Sequence, residues 1–371
     1  MEHSFLDRLY QQIAPHAVQS DFSGRFPEQE LEVIKKAGLL SITLPNSQLS
    51  FEKSQSRELL SLLKTVGKGS LPAGRIYEGH INALYLIFLF GNTSQKQRWF
   101  ADVTSGNKLF GVWNTQDAEG VRIYDLGNGK YRLEGSKTFC SGANGIDRPL
   151  VTGELVSRSK KGWQMCIIPT EKVKAITADP SFWKPLGMKA SVSFKMDFTG
   201  IILEETDMLG SPGSYYHQPH FSGGAMRFSA VQLGGAESIM EQTHQFLRNA
   251  NRTGDPFQRA RLAEMTYLIE TGNLWLNQAG LKMDEWKNKL GTTQQITTYA
   301  SMTRTVIEDI CLRCMLLAER SVGSRGLMKP HALERVHRDL TTYLRQPAPD
   351  HTLTSIGEYV LNQPVTTQLW D

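Results

Sequence analysis

Apolar and polar positions repeat with a helical period at both ends of the chain and with a period near two in its middle. In 31–40 and 56–66 apolar residues recur every three or four positions, as they do on one face of a helix. Segment 91–106 has Thr and Ser as capping residues before its helical part and ends in Gly. Residues 1–108 are therefore predicted to form an N-terminal α-helical domain.

The period shortens toward two between residues 109 and 210. Alternation is clear in 131–135 and 191–198, and turn residues interrupt the runs at 127–129 and 161–162. This pattern predicts a middle β domain over 109–210, an antiparallel barrel or sandwich.

Beyond Gly210 the alternation disappears and long amphipathic stretches follow. They span 228–247, 259–282, 297–321 and 333–344. They predict a C-terminal four-helix bundle domain over 211–371, so the fold class is α+β. Small residues in the first stretch allow close helix packing, namely Ala230, Gly234, Gly235 and Ala236.

Composition fits a soluble enzyme of 371 residues, 40% hydrophobic and 21% charged. Its 41 basic and 37 acidic residues give a net charge of +4 without a basic block, so a nucleic-acid groove is not expected. No run reaches the ~18 apolar residues of a membrane span, and the first residues lack a secretory-signal layout. We expect a cytoplasmic protein.

Four cysteines are too few for a disulfide framework in this chain. Cys311 and Cys314 have the spacing of a metal or redox pair, but they lie in an apolar helical run, and no second pair or His partner completes a zinc set. They are expected to be core residues, and no metal site is expected.

Two neighbouring segments carry a family resemblance. Residues 182–193 read Phe-Trp-Lys-Pro-Leu-Gly-Met-Lys-Ala-Ser-Val-Ser, and 197–210 read Asp-Phe-Thr-Gly-Ile-Ile-Leu-Glu-Glu-Thr-Asp-Met-Leu-Gly. They resemble the middle domain of the acyl-CoA dehydrogenase superfamily of flavoproteins, where Leu-Gly-Met-Arg-x-Thr-x-Ser precedes similar strands. The α, β, α order matches that superfamily from end to end. The resemblance implies a flavin cofactor, FAD or, in its place, FMN.

Two further motifs imply the position of the flavin. Segment 112–122 resembles the family's T-E-p-x-x-G-S-D, although Gln116 replaces the usual Glu, and 133–143 resembles l-x-G-x-K-x-f-i-T/S. In the family the main chain of the first motif and a hydroxyl of the second bind the flavin. The implied cofactor residues are Trp113, Asn114, Thr115, Phe139, Cys140, Ser141 and, for the pyrophosphate in a neighbouring subunit, Arg252. For Trp113 an ordinary core position is an equal alternative to flavin contact. For Ser141 the alternative is a capping role at the end of a β-strand. The role of Arg252 implies a homodimer or homotetramer.

The resemblance also implies a substrate chamber whose usual catalytic base is missing. Arg227 matches a family Arg beside the chamber, and His220 and Tyr343 are further pocket candidates, with bundle-surface or helix-cap roles as alternatives. Family members abstract a proton with Glu at one of two positions. Here those positions hold Pro347 and Met226.

We therefore expect an FAD-dependent oxidoreductase that resembles acyl-CoA dehydrogenases and oxidises the CH–CH bond of an acyl thioester by hydride transfer to flavin N5. Two alternatives stay open. The tail after residue 333 looks more like the reduced-flavin monooxygenases of the same fold, in which Tyr343, His351 and Ser141 would act as hydrogen-bond donors. The chain could also be a non-catalytic flavin-binding or assembly protein. An electron-transfer or flavin-reductase partner is implied for the enzyme.

Overall fold

The computed structural model describes residues 2–158 and 160–370, with helices at both ends of the chain and strands in its middle. The helices are α1 (His3–Ile13), α2 (Ala17–Ser23), α3 (Glu28–Lys36), α4 (Ser56–Gly69), α5 (Leu71–Phe90), α6 (Thr93–Thr104), α7 (His220–Gly223), α8 (Ala225–Asn249), α9 (Pro256–Trp286), α10 (Thr293–Gly326), α11 (Ala332–Tyr343) and α12 (Pro349–Leu361). The strands are β1 (Phe110–Trp113), β2 (Arg122–Gly127), β3 (Lys130–Glu134), β4 (Ser136–Cys140), β5 (Arg148–Val156), β6 (Lys161–Ile167), β7 (Thr177–Asp179), β8 (Phe194–Asp197), β9 (Ile201–Glu204) and β10 (Met208–Leu209). The predicted α+β class is confirmed.

Local chemistry explains where several helices begin. Asn92 caps α6 by accepting from the Gln95 N–H, and the Gln95 side chain accepts from the Asn92 N–H in return. The cap is therefore Asn92, one residue before the Thr and Ser that the sequence pattern favours. Asp255 caps α9 in front of a proline at the first helical position.

The strands form two sheets. The larger has the order β10-β6-β5-β2-β3-β9, with β1 also paired to β5, and the smaller has the order β4-β8-β7. Most pairs are antiparallel, but β1 and β2 run parallel to β5. A period of two predicts which side chains face inward and contains no information about the direction of the neighbouring strand.

Helix α8 crosses α4 at very short range in the helical part of the molecule. A Cβ atom built on Gly234 would lie 2.1 Å from the Lys64 carbonyl oxygen, and one on Gly67 would lie 2.3 Å from the Val231 carbonyl oxygen. Only glycine permits this approach of two backbones. The predicted close packing of the small-residue stretch is confirmed.

Helix α5 connects the helical layers to the sheet, because it packs against α4, α8, α11 and β1. Most of its residues are buried. Among the described residues no helix is both long enough and apolar enough to cross a membrane.

Candidate active site

A buried lysine anchors the loop that follows β1. Lys137 Nζ donates to the Asn114 carbonyl oxygen (2.9 Å), to Gln116 Oε1 (2.6 Å) and to Thr152 Oγ1 (3.2 Å). The ammonium lies 4.6 Å from the centre of the Trp163 ring. Burial lowers the pKa of Lys137 to about 7. These contacts hold the loop in one conformation at the edge of the larger sheet.

The Asn114 side chain is also held in place. Its Oδ1 accepts from Thr152 Oγ1 (2.6 Å) and Trp163 Nε1 (3.0 Å), and its Nδ2 donates to the Tyr216 hydroxyl at 3.3 Å. Thr115 is exposed, and its carbonyl accepts from the Thr138 N–H at 2.9 Å. The loop therefore presents Thr115 and one face of Asn114 outward.

The end of β4 presents an aromatic ring to solvent. Phe139 is 52% exposed and has a φ of 53°, which phenylalanine rarely adopts. Its ring makes edge contacts with Phe182 (5.2 Å between centroids) and Trp183 (6.0 Å). Beside it the Ser141 hydroxyl lies 2.9 Å from that of Ser193. Aromatic side chains and hydroxyl groups thus meet on one surface.

Two of the predicted cofactor residues have side chains that are buried in the core and not exposed on this surface. Trp113 is 2% exposed, donates its indole N–H to the Ser141 carbonyl (3.0 Å) and packs on Phe198, so its side chain belongs to the core. Cys140 is fully buried, and burial raises the pKa of its thiol. Since Phe139 is exposed and Cys140 is fully buried, only Phe139 of this pair can line a ring.

The remaining groups fit a flavin. Such a ring system needs a flat apolar surface and hydrogen-bonding groups along its polar edge. The exposed ring of Phe139 supplies the first, with Phe182 and Trp183 set nearly perpendicular to it, and Ser141 and the loop at Thr115 supply the second.

A polar stripe runs along the buried helix α5. Arg75, Glu78, Asn82 and Tyr85 are separated by three, four and three residues, so they share one face. Arg75 Nη1 lies 2.6 Å from Glu78 Oε2, and the other oxygen of Glu78 accepts from Asn82 Nδ2. Glu78 is 2% exposed. Both oxygens of this buried carboxylate are therefore occupied.

Two predicted pocket residues join this stripe from the start of the C-terminal helices. Arg227 Nε donates to Asn82 Oδ1, and the Arg227 guanidinium carbon lies 5.0 Å from the centre of the Tyr85 ring. The Tyr85 hydroxyl is 3.1 Å from Nδ1 of His220. Burial lowers the pKa of both His220 and Arg227.

The third predicted pocket residue, Tyr343, comes from the last turn of α11. It is 4% exposed, and its hydroxyl has no hydrogen-bond partner among the described residues. Burial raises the pKa of this phenol, and Glu78 and Arg75 act on it electrostatically. Arg227, His220 and Tyr343 thus converge on one α5 stripe. We name this region, where α5, α8 and α11 pack against one another, the chamber.

Other predicted positions lie outside the chamber. Pro347 is exposed, and its carbonyl accepts from Arg304 Nη2 at 2.6 Å. His351 is exposed on α12. Arg252 follows the far end of α8, roughly 35 Å from Arg227 at 1.5 Å per helical residue, and pairs with Asp255 at 3.0 Å. Within one chain, Arg252 therefore lies far from Arg227.

The sequence analysis missed the α5 stripe. A signal for it exists, because Arg75, Glu78 and Asn82 recur at helical spacing in a largely apolar helix, and polar groups at buried positions need partners. In the described residues no group of three or more His, Cys, Asp or Glu side chains could hold a metal ion. Cys311 and Cys314 are both buried in α10.

Comparisons with known proteins agree with this geometry. The acyl-CoA dehydrogenase N-terminal domain model matches residues 3–107, and the C-terminal domain model matches 212–344. The helical, sheet and helical layers around a ring-binding surface are those of a flavoenzyme fold. The chain belongs to the acyl-CoA dehydrogenase superfamily.

Some of the individual relatives are named as monooxygenases and others as acyl-CoA dehydrogenases. A dibenzothiophene monooxygenase of Mycolicibacterium goodii is 23% identical over 93% of this chain and 90% of its own. A probable acyl-CoA dehydrogenase of Bacillus subtilis is 23% identical over 90% and 89%. Among solved structures, FMN-bound TdsC of Paenibacillus sp. A11-2 superposes with a TM-score of 0.89 at 18% identity, and methanesulfinate monooxygenase of Pseudomonas fluorescens with 0.84 at 21%. Both cover all of each chain.

Proposed function

We propose that this protein is a monooxygenase that uses reduced flavin, FMN or FAD, delivered by a separate reductase. The observation that carries this proposal is that neither position at which the family places its base holds a carboxylate. Pro347 is on the surface, Met226 is apolar, and both oxygens of Glu78 are bound to Arg75 and Asn82. Proton abstraction from an acyl thioester requires a base.

The names of the relatives support the same choice. A dibenzothiophene monooxygenase matches almost the full chain, and a monooxygenase structure superposes over its whole length. The TdsC structure has FMN bound, which supports FMN as one cofactor choice. A dehydrogenase is the second candidate, favoured by the Bacillus subtilis relative.

When bound, reduced flavin supplies the two electrons that allow one atom of dioxygen to enter a substrate while the other leaves as water. The chain's own residues have simpler tasks. Phe139 and Trp183 support the ring, and Ser141 and the loop at Thr115 offer hydrogen bonds at its edge. The buried Tyr343 hydroxyl, which has no partner among the described residues, is available to donate a hydrogen bond, and the Tyr85 hydroxyl and His220 hold each other at 3.1 Å.

The proposal includes the oligomeric state and the domain boundaries of the chain. A homodimer or homotetramer would bring Arg252 of a second copy toward the cofactor. Domain boundaries after residues 108 and 210 stay a prediction.

One experiment separates the two reactions. Purified protein loaded with flavin is titrated anaerobically with acyl-CoAs of several lengths while the absorbance near 450 nm is recorded, and chemically reduced flavin is then mixed with oxygen. We expect no bleaching by any thioester, and oxygen consumption that depends on the protein. Bleaching by one chain length would refute the monooxygenase proposal in favour of dehydrogenation.

A further inference from the structure

Lys137 is a buried cation that has no carboxylate as its partner. Its side chain is fully buried, and its ammonium donates to three neutral oxygens, those of the Asn114 carbonyl, the Gln116 amide and the Thr152 hydroxyl. Among the described residues no carboxylate lies within ion-pair distance of Nζ, and the groups that act on it electrostatically are thiols. Buried charges in proteins are normally paired. The positive charge of Lys137 is therefore not neutralised within the chain.

The carboxylates that follow Gln116 in the loop after β1 are engaged elsewhere. Asp117 Oδ2 lies 3.1 Å and Glu119 Oε2 lies 3.7 Å from Nζ of Lys195. The side chains of Asp117 and Glu119 are 46% and 83% exposed, so water and salt screen their charges. They face away from the buried ammonium and do not balance it.

Gln116 is the reason why the charge stays unbalanced. It stands where the family motif has Glu, and its Oε1 is the nearest acceptor of Lys137, at 2.6 Å from Nζ. The same oxygen accepts from the Val121 N–H at 3.2 Å, which fixes the orientation of the amide. A carboxylate at this position would form a buried ion pair with Lys137. The amide supplies the hydrogen bond without the negative charge.

One peptide group connects this charge to the proposed flavin surface. The Asn114 carbonyl that accepts from Lys137 belongs to the same peptide group as the Thr115 N–H. Thr115 is exposed, and its N–H has no hydrogen-bond partner in the part of the chain that the structure describes. The Thr115 carbonyl accepts from the N–H of Thr138, the residue before Phe139. Because hydrogen bonds in series polarise one another, the ammonium makes the free N–H a stronger donor.

We propose that Lys137, left without a counter-charge by Gln116, makes this site selective for the reduced state of the flavin. Two electrons and one proton convert the neutral oxidised ring to a reduced ring with one negative charge. A nearby positive charge and a strengthened N–H donor stabilise that ring more than the neutral one. The role of this selectivity rests on the proposed use of reduced flavin from a reductase, whereas the selectivity itself can be measured without turnover.

The test compares the affinities of oxidised and reduced FMN for the full chain at pH 6.5. The ammonium form of Lys137 predominates there, because burial lowers its pKa to about 7. The thiols of Cys140 and Cys166, which act on Lys137, stay protonated because burial raises their pKa. Fluorescence quenching gives the Kd of oxidised FMN, and the difference between the midpoint potentials of bound and free FMN gives the ratio of the two Kd values. We expect the reduced form to bind at least about tenfold more tightly. Equal affinities overturn the proposal.

Two variants remove the net charge in different ways. Gln116→Glu adds the missing carboxylate and keeps the shape of the side chain, and Lys137→Gln removes the cation and keeps a donor for the Asn114 carbonyl. Each should reduce the preference for reduced FMN by about tenfold, the effect of one unit charge. Either variant serves if the other fails to fold. Lys130→Gln, which removes a positive charge from an exposed position of β3, is the control and should leave the ratio unchanged.

A purely structural role of Lys137 gives a different result. Loss of loop positioning would weaken both forms of FMN alike, so an unchanged ratio in Gln116→Glu overturns the proposal. The same ratio is measured with FAD if FMN does not bind, and absence of binding of both flavins overturns the proposal as well. An unchanged ratio together with oxygen consumption by the wild type would refute this inference alone. Bleaching of the bound flavin by an acyl-CoA would refute the proposed function instead.

Discussion

Phe139 presents an aromatic ring at the proposed flavin surface, and its removal has an effect that can be worked out. The ring is 52% exposed, so roughly 100 Å² of apolar surface is available for a flavin to cover. At ~25 cal/mol per Å² this burial contributes about 2.5 kcal/mol, and ring–ring geometry adds about 0.5–1.5 kcal/mol. Phe139→Ala should therefore weaken flavin binding by roughly 3 kcal/mol, about 100-fold in Kd.

The assay is quenching of flavin fluorescence during titration with protein, for FMN and FAD. Phe139→Ala also loses the edge contacts with Phe182 and Trp183, so its unfolding free energy in urea should fall by about 1–2 kcal/mol. Leu126→Ala is the matched control, because Leu126 is a 50% exposed apolar side chain of β2. A Kd for Phe139→Ala within threefold of wild type would refute the assignment of this ring to the flavin surface.

Three further predictions concern the buried Lys137, the buried Asp339 of α11, which accepts from the Met188 N–H, and Gly187, which lies against the backbone of α11. Burial lowers the pKa of Lys137 to about 7, so between pH 7 and 10 the unfolded chain binds more protons than the folded chain. The free energy of unfolding in urea should therefore rise over that range for the wild type relative to Lys137→Met. Parallel pH profiles of the two proteins would contradict this. Burial raises the pKa of Asp339 to about 6, so between pH 4 and 6 the folded chain binds more protons than the unfolded chain. The free energy of unfolding of the wild type should therefore fall with rising pH relative to Asp339→Asn. Equal slopes for the two proteins in the same urea series would contradict this. A Cβ on Gly187 would lie 2.0 Å from the Arg338 carbonyl oxygen, so Gly187→Ala should lower the midpoint of thermal unfolding by an amount equivalent to about 2–3 kcal/mol, whereas Gly357→Ala, in open space, should not.

Periodicity was sufficient to predict the large elements. The stretch 297–321 lies inside α10 and 333–344 coincides with α11 within a residue, because long amphipathic helices repeat the same pattern over several turns. The short α12 was not predicted. Its first residue is Pro349, and proline breaks a helix in its interior but favours a helix start at the first helical position, so the residue type alone does not decide between the two.

The site was only partly predictable. Motif resemblance placed Ser141 and Phe139 at one strand end, but it did not separate the exposed Phe139 from the buried Cys140, because orientation depends on which sheet the strand joins. The chamber depends on contacts between distant parts of the chain. Tyr343 meets the α5 stripe across more than 250 residues, and no local pattern encodes that contact.

Cofactor binding and choice of reaction depend on different elements of this fold. The proposed flavin surface is built from the loop after β1, the end of β4 and the segment around Trp183, whereas the family's base position falls at Pro347 between α11 and α12. The carbonyl of Pro347 contacts Arg304, which lies on α10 and outside the sheets. A substitution of Pro347 should therefore leave the proposed flavin surface intact. In this fold the residues that would hold a flavin and the position of the family's base therefore lie on different elements, so a change of the base need not disturb the surface proposed for the flavin.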